Sequence, residues 1–389
     1  MRVCTTLLTI HRQAARVAIN VRERNDYYTP SQGIFRDHCR QVIKRYKLDS
    51  LVHKETVLDI DFGVVRELSD DELFTIKTSA STRYAKTVVL AVGAANAPKM
   101  PLLPSMPCTA ELRQACHSMQ IRQFPDPALQ AKIKARQATN VLVVGGGLTS
   151  AQLSDLAIRR GVTRVWHIMR GPCRVKLFDL DLEWMGKYKN AEQARFWLAD
   201  SDAERLDIIK SARGGGSITP VFYKQLKKHA AAGKVKLHTN TQLVDAKFHD
   251  DGAGNGSWSV QTEPPLELPK MDYMYFATGI QTDYRSLPYL QTMINKHPME
   301  DEGGLPCLND DLMWKDDVPL FAVGRLAALR LGPGAANLGG AKVGAERVAW
   351  AIEDMISTDE DVGEEYGEVS SYLSGHGNRY SSLAMASEE

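Results

Sequence analysis

No glycine occurs before Gly33 in this chain of 389 residues, although it has 29 in all. A strand opening the chain therefore has no glycine with which to make a tight phosphate-binding turn. Cysteine is sparse too. Cys4, Cys39, Cys108, Cys116, Cys173 and Cys307 form no CxxC and no other metal-like pair. A disulfide scaffold, a zinc site and a dithiol redox centre are all disfavoured, and scattered thiols fit a reducing compartment. Charge of either sign is not in excess, since 48 Lys and Arg face 47 Asp and Glu. No basic block carries interleaved aromatics, so neither nucleic acid nor an anionic membrane is expected as a partner. No apolar run approaches the roughly 20 residues of a membrane-spanning helix. Arg2, Arg12, Arg16 and Arg22 precede the first acid, Glu23, but the apolar part around Leu7 is too short for a secretory signal. Ser387-Glu388-Glu389 carries no lipidation or peroxisomal signal, and a cytoplasmic location is expected.

What the chain does contain is a strong stretch in its middle. Asn140 to Val144 is apolar and runs into Gly145-Gly146-Gly147, and Leu148, Ala151, Leu153, Leu156 and Ala157 then recur at helical spacing. That order predicts a buried parallel strand, a tight turn and a helix N-terminus. Gly145-x-Gly147-x-x-Ser150 is a dinucleotide fingerprint with serine as the third small residue. Gly145 permits the turn, Gly147 lets a pyrophosphate approach the backbone, and Ser150 lets helix and strand sit close. The amides of Thr149, Ser150 and Ala151 are expected to face the phosphates. A second strand, Val162–Met169, completes the βαβ unit, and Arg170 stands where an acid would hold the ribose of NAD. Arg174 and Lys176 follow closely. A cation there suits a 2′-phosphate, which points to NADPH.

Around this unit the punctuation is regular. Ser31 caps a helical pattern through Ile34, Phe35, Cys39, Val42, Ile43 and Tyr46. Strands are expected at Glu55–Phe62, Leu73–Thr78 and Ala85–Val92, the last ending at Gly93. A long helical insertion spans about 180 to 230 and contains the flexible run Gly214-Gly215-Gly216. A hairpin follows over Gln242–His249 and Trp258–Thr262. Met271 to Ala277 is again an apolar strand stopped by glycine, at Gly279. Two such strand–glycine exits, at Gly93 and Gly279, predict one domain inserted into another. Val318–Val323 enters Gly324, and Gly332-Pro333 opens toward a helix that runs from about Leu338 to Ile356. Residues 357–389 are acidic and rich in serine and glycine, a composition that predicts a disordered tail.

Together these pieces resemble the flavin-containing monooxygenase superfamily, and within it the N-hydroxylating ornithine/lysine monooxygenase-like branch. Asp272-x-x-x-Phe276-Ala277-Thr278-Gly279-Ile280 is similar to that branch's D-x3-(L/F)-ATG-Y motif, with Ile280 for tyrosine. Arg285 stands where the motif has His or Pro, and Arg325 where the family often has Gly-Asp. Ala91-Val92-Gly93 resembles the first crossover, and His117-Ser118 the segment leading into the NADPH domain. The resemblance covers about residues 27–350. It implies an α/β fold of two Rossmann-like dinucleotide-binding domains. The FAD-binding-type domain would be residues 1–137 and 271–356, and the NAD(P)H-binding domain the inserted residues 138–270. It further implies that Pro30, Ser31, Gly93, Gly324, Gly332, Pro333 and Asn337, with Ala277, Thr278 and Gly279, contact the cofactors.

The implied reaction is that of an NADPH- and FAD-dependent monooxygenase. NADPH gives hydride to the flavin, O2 then forms a flavin C4a-hydroperoxide, and a small nucleophilic substrate, an amine being the candidate, takes one oxygen. The flavin carries the chemistry, so no catalytic triad is expected, and His117, His167 and His297 read as structural or surface residues. The family's FAD fingerprint belongs on the first strand, where this sequence has no glycine. Either a preceding segment supplies it or the usual FAD-adenosine site has been given up, and residues 1–389 are expected to hold FAD poorly. The alternative reading is an NADPH-binding protein with a regulatory rather than catalytic role. A disulfide reductase on the same fold lacks its CxxC.

Overall fold

The computed structural model describes residues 31–359, apart from 67, 69, 94–96, 108–111, 187, 251 and 253–255. The strand-like Val3–Ile10, Pro30 and the acidic tail from residue 360 lie outside the described residues.

The architecture is α/β, with two Rossmann-like units joined by paired crossovers. The larger sheet has five parallel strands in the order Ala115–His117, Tyr273–Phe276, Asn140–Val144, Arg164–Ile168 and Val235–His238. Val141, Leu142 and Val143 are completely buried, as an apolar run covered on both faces must be. Helix Leu148–Arg159 covers one face, and helix Pro220–Ala231 packs against it through the buried Leu226. Helix Pro127–Lys134 is capped by Asp126, whose carboxylate accepts from the Ala128 amide at 2.9 Å.

This sheet takes in strands from both sides of residues 138–270. Both Ala115–His117 and Tyr273–Phe276 belong to it. The reason is burial: all four residues of Tyr273–Phe276 are buried, so that strand needs a neighbour on each edge. Asn140–Val144 supplies one and Ala115–His117 the other.

The smaller unit holds Val88–Leu90 in parallel pairing with Val318–Ala322, which pairs antiparallel with Met313–Lys315. Residues far apart in sequence thus share one sheet. An antiparallel meander, Val57–Val64, Glu72–Thr78 and Thr82–Ala85, lies beside it. The expected single strand Ala85–Val92 is split at Lys86-Thr87, because its first part ends the meander and its second joins Val318–Ala322.

The crossovers pair with each other. Ala97–Pro98 runs antiparallel to Ile280–Gln281, and the Lys99 amide donates to the Gly279 carbonyl at 3.0 Å. The Thr278 hydroxyl returns a hydrogen bond to the Lys99 carbonyl.

The helical insertion also crosses over. Helices Lys189–Trp197 and Asp202–Arg213 follow the fingerprint unit in sequence. Yet Leu180, Trp184, Phe196, Ile209 and Ala212 share a core with Leu320, Phe321, Leu326 and Leu329 of the smaller unit. Residues 180–213 therefore pack with the smaller unit. Ser201 caps Asp202–Arg213, and Asp202 and Glu204 in its first turn and Lys210 and Arg213 in its last suit the helix dipole.

Candidate functional site: three joined clefts around the fingerprint turn

The fingerprint turn is fixed by backbone contacts on two sides. The Gly145 amide donates to the Ile168 carbonyl at 3.0 Å. A Cβ on Gly145 would lie 2.3 Å from the Ala277 carbonyl oxygen, so no other residue fits beneath the Ala277-Thr278-Gly279 exit. His167 holds the turn from below. Its Nε2 donates to the Gly145 carbonyl at 2.8 Å, and its Nδ1 is 3.2 Å from the Ser154 hydroxyl. Burial pushes the His167 pKa down to about 4, so the ring is neutral at physiological pH.

The helix begins at Leu148, so its first ladder bond runs from the Ala151 amide to the Gly147 carbonyl, at 3.3 Å. The expected anion-facing amides therefore shift by one residue. Leu148, Thr149 and Ser150 precede the ladder, whereas Ala151 closes it. The Ser150 hydroxyl is buried and donates to the Gly147 carbonyl at 2.6 Å. Serine there satisfies the turn's own backbone.

A first cleft of about 740 Å³ opens at this turn. Gly145, Gly146, Gly147, Thr149, Arg170, Ala277, Thr278 and Gly279 line it together. Among the described residues its charged groups are Lys99, Arg170 and Arg174, with no carboxylate. A second cleft, of about 860 Å³, gathers Gly93, Gly324, Gly332, Pro333 and Asn337 with Phe178, Trp184 and Phe196. The third, of about 1110 Å³, lies between them. It shares Lys99, Thr149, Gly216 and Gly279 with the first and Arg325, Pro333 and Ala335 with the second.

Most residues expected at the site are thus brought to one groove. Ser31 is not: its hydroxyl accepts from the Ile34 amide as the N-cap of helix Gln32–Arg45. Sequence reasoning missed Lys99, which the crossover places at the junction of two clefts. It also missed Trp184 and Phe196, whose position depends on where the insertion packs. Gly93 and Gly324 both have positive φ, at 69°, and face open space where a side chain would stand. A flat ring could lie against both strand ends, so these residues fit the flavin end of FAD. Arg325, where the family often has aspartate, is partly buried; desolvation and then the neighbouring Arg213 hold its pKa below the usual arginine range. His117 sits under the Gly279 exit with its Nδ1 accepting from the Met119 amide at 3.3 Å, a capping role. The described cysteines Cys39, Cys116, Cys173 and Cys307 are all unpaired, and burial raises the pKa of the last three, to about 12 for Cys307. A raised pKa disfavours the thiolate at Cys116, Cys173 and Cys307.

Residues 24–282 match the model of the L-lysine 6-monooxygenase/L-ornithine 5-monooxygenase family. The chain belongs to this family. Its motif residue Asp272 accepts from the Asn140 amide at 2.7 Å and from Lys132 at 2.5 Å. The family's acid thus ties the base of Tyr273–Phe276 to the fingerprint strand. Among solved structures, ornithine hydroxylase from Pseudomonas aeruginosa is similar at a TM-score of 0.62 and 14% identity, over 84% of this chain and 77% of that one. An ornithine N-hydroxylase of Kutzneria sp. 744 gives 0.60 and 18%, over 90% and 83%. An uncharacterized CzcO-like oxidoreductase of Geobacillus kaustophilus (strain HTA426) is 24% identical over 218 residues, 55% of this chain and 54% of that protein. The match thus spans about half the length of that curated relative.

The His167 contact gives a pH signature. Unfolded, the ring titrates near 6.5; folded, near 4. As pH falls below 6.5 the unfolded state gains a proton that the folded state refuses, so stability declines through that window and levels below about 4. His167→Leu should abolish this component in urea unfolding measured from pH 8 to 4. At pH 8 it should cost about 1–3 kcal/mol, because the Gly145 carbonyl loses its partner. An unchanged pH slope in the variant would show that His167 is not buried as described.

Proposed function

We propose that this protein is an NADPH-dependent flavin monooxygenase that hydroxylates the amine nitrogen of a small molecule, with O2 as co-substrate. One observation carries the reading: a dinucleotide turn and a glycine-lined ring cradle lie at opposite ends of one continuous groove. Hydride transfer between two cofactors requires such a geometry, because the donor and acceptor rings must meet. The amine follows the family's own substrates, lysine and ornithine, and the Kutzneria relative has been solved with reduced FAD, NADP+ and L-ornithine.

Each end of the groove has its tasks. Leu148, Thr149 and Ser150 present amides to a pyrophosphate at the positive end of helix Leu148–Arg159. Arg170 and Arg174 offer guanidinium groups to a 2′-phosphate in a cleft lined by no competing carboxylate. Gly93 and Gly324 leave room for a ring, and Phe178, Trp184 and Phe196 wall that end with apolar surface. Such a wall excludes water from the reacting atoms. Bound there, a flavin would accept hydride and activate O2 for transfer of one oxygen atom.

Three measurements test this. In nucleotide titrations, Arg170→Ala should weaken NADPH by about 10- to 100-fold, the loss of one charge-assisted contact, and leave NADH unchanged. Equal affinities for both nucleotides in the parent protein would remove the preference. In titrations with added FAD, Gly324→Val places a branched side chain in the cradle at positive φ and should weaken flavin binding by at least about tenfold, read from the change in visible absorption, with NADPH affinity intact. FAD affinity equal to the parent's would move the ring elsewhere. With added FAD, NADPH oxidation should yield an N-hydroxylated product from L-ornithine, L-lysine or another primary amine. NADPH and FAD binding without turnover across such amines would favour the regulatory reading.

A further inference from the structure

The close approach that Gly147 allows is taken up by the protein itself. After helix Asp202–Arg213 the chain turns at Gly214 and Gly215, both at positive φ, and lays Gly216 on the fingerprint turn. A Cβ on Gly216 would lie 3.1 Å from the Gly147 nitrogen and 3.2 Å from the Gly146 carbonyl carbon. The two backbones are in van der Waals contact, and no diphosphate fits between them. Arg174 fastens the loop there. Its Nη1 donates to the Gly214 carbonyl, and the Arg174 carbonyl accepts from the Ile218 amide at 2.8 Å. Lys176 adds a bond to the Arg213 carbonyl at 3.1 Å but is also paired with Asp181 at 2.9 Å. Arg174 has no ion pair among the described residues. Its charge rests on a neutral carbonyl, in the same cleft as Arg170.

We propose that Arg174 is a specificity-determining latch: a 2′-phosphate draws its guanidinium from the Gly214 carbonyl, and the Gly214–Gly216 loop then leaves the fingerprint turn and admits the pyrophosphate. The proposal rests on reading the first cleft as an NADPH site. A charge-assisted bond to phosphate is stronger than one to a carbonyl, so the exchange runs in the required direction. A nucleotide without the 2′-phosphate must lift the loop with the latch closed. Both nucleotides bear the cost of opening, and only NADPH recovers it, through its phosphate–guanidinium bond. The hinge is local. Arg213, next to Gly214, is anchored to the Pro333 carbonyl at 3.0 Å and to Asp179 at 2.7 Å, so movement is confined to the glycines.

The test uses the full chain, with 2′,5′-ADP, 5′-AMP, NADPH and NADH as probes. In the parent protein, 2′,5′-ADP should raise deuterium uptake across residues 213–218, and 5′-AMP at the same occupancy should not. In Arg174→Met, uptake there should be high without nucleotide. NADPH should weaken by about tenfold, while NADH binds more tightly than in the parent. Weakened NADPH with unchanged NADH affinity and unchanged uptake would make Arg174 a plain phosphate contact and overturn the latch. So would 2′,5′-ADP binding to the parent without any change in uptake, a result that needs no variant. Failure of the parent to bind either NADPH or 2′,5′-ADP would instead remove the NADPH reading and the latch with it.

Discussion

The Gly145 backbone sits directly beneath the Ala277 carbonyl, at a distance that excludes any side chain. Everything around the groove is arranged about that contact. It brings the carboxyl end of Asn140–Val144 against that of Tyr273–Phe276, where the Ala277 amide donates to the Val144 carbonyl at 2.8 Å. From there Thr278 and Gly279 bond to Lys99, so the two crossovers leave the sheet as a pair. The dinucleotide turn and the passage between domains are therefore one structural unit. Asp272 and His167 brace it from the two sides of Asn140–Val144, Asp272 at that strand's start and His167 just beyond its end.

The insertion explains why the chain does not divide cleanly. Its helices leave the fingerprint unit, bury Trp184, Phe196 and Ile209 in the core of the other unit, and return through three glycines. Each end answers to a different neighbour. Arg213 is held by Pro333 at the turn lining the second cleft, and Gly216 lies on Gly147. Asp202, at the start of the same helix, accepts from both Arg205 and Arg330, which pins that end as well.

The electrostatics of the groove follow from which charges are already paired. In the middle cleft Arg285 bonds to Asp283 and Asp301, and Arg213 to Asp179, so those carboxylates are committed. Toward the fingerprint, Lys99, Arg170 and Arg174 meet no carboxylate in the lining. A surplus of cation beside a helix N-terminus is an arrangement that favours anions over neutral ligands.

Local chemistry decides a good deal of this protein, and the sequence displays it. Gly145, Gly147 and Ser150 follow one apolar strand and open one helix, so their turn was legible; so were Arg170 at the next strand's end and the paired exits at Gly93 and Gly279. Such features depend on backbone freedom and hydrophobic period, which neighbouring residues carry. Pairing between distant strands is different. That Tyr273–Phe276 lies inside the fingerprint sheet, or that Val88–Leu90 parts from Thr82–Ala85, was settled by which apolar faces found partners. The same holds for Trp184 and Phe196 in the second cleft, and for Gly216 over Gly147. A triple glycine signals a loop that can move; only packing of the helix before it determines what that loop covers. Ser31 marks the limit from the other side, since a cap can be read from its neighbours, whereas a contact with a cofactor cannot.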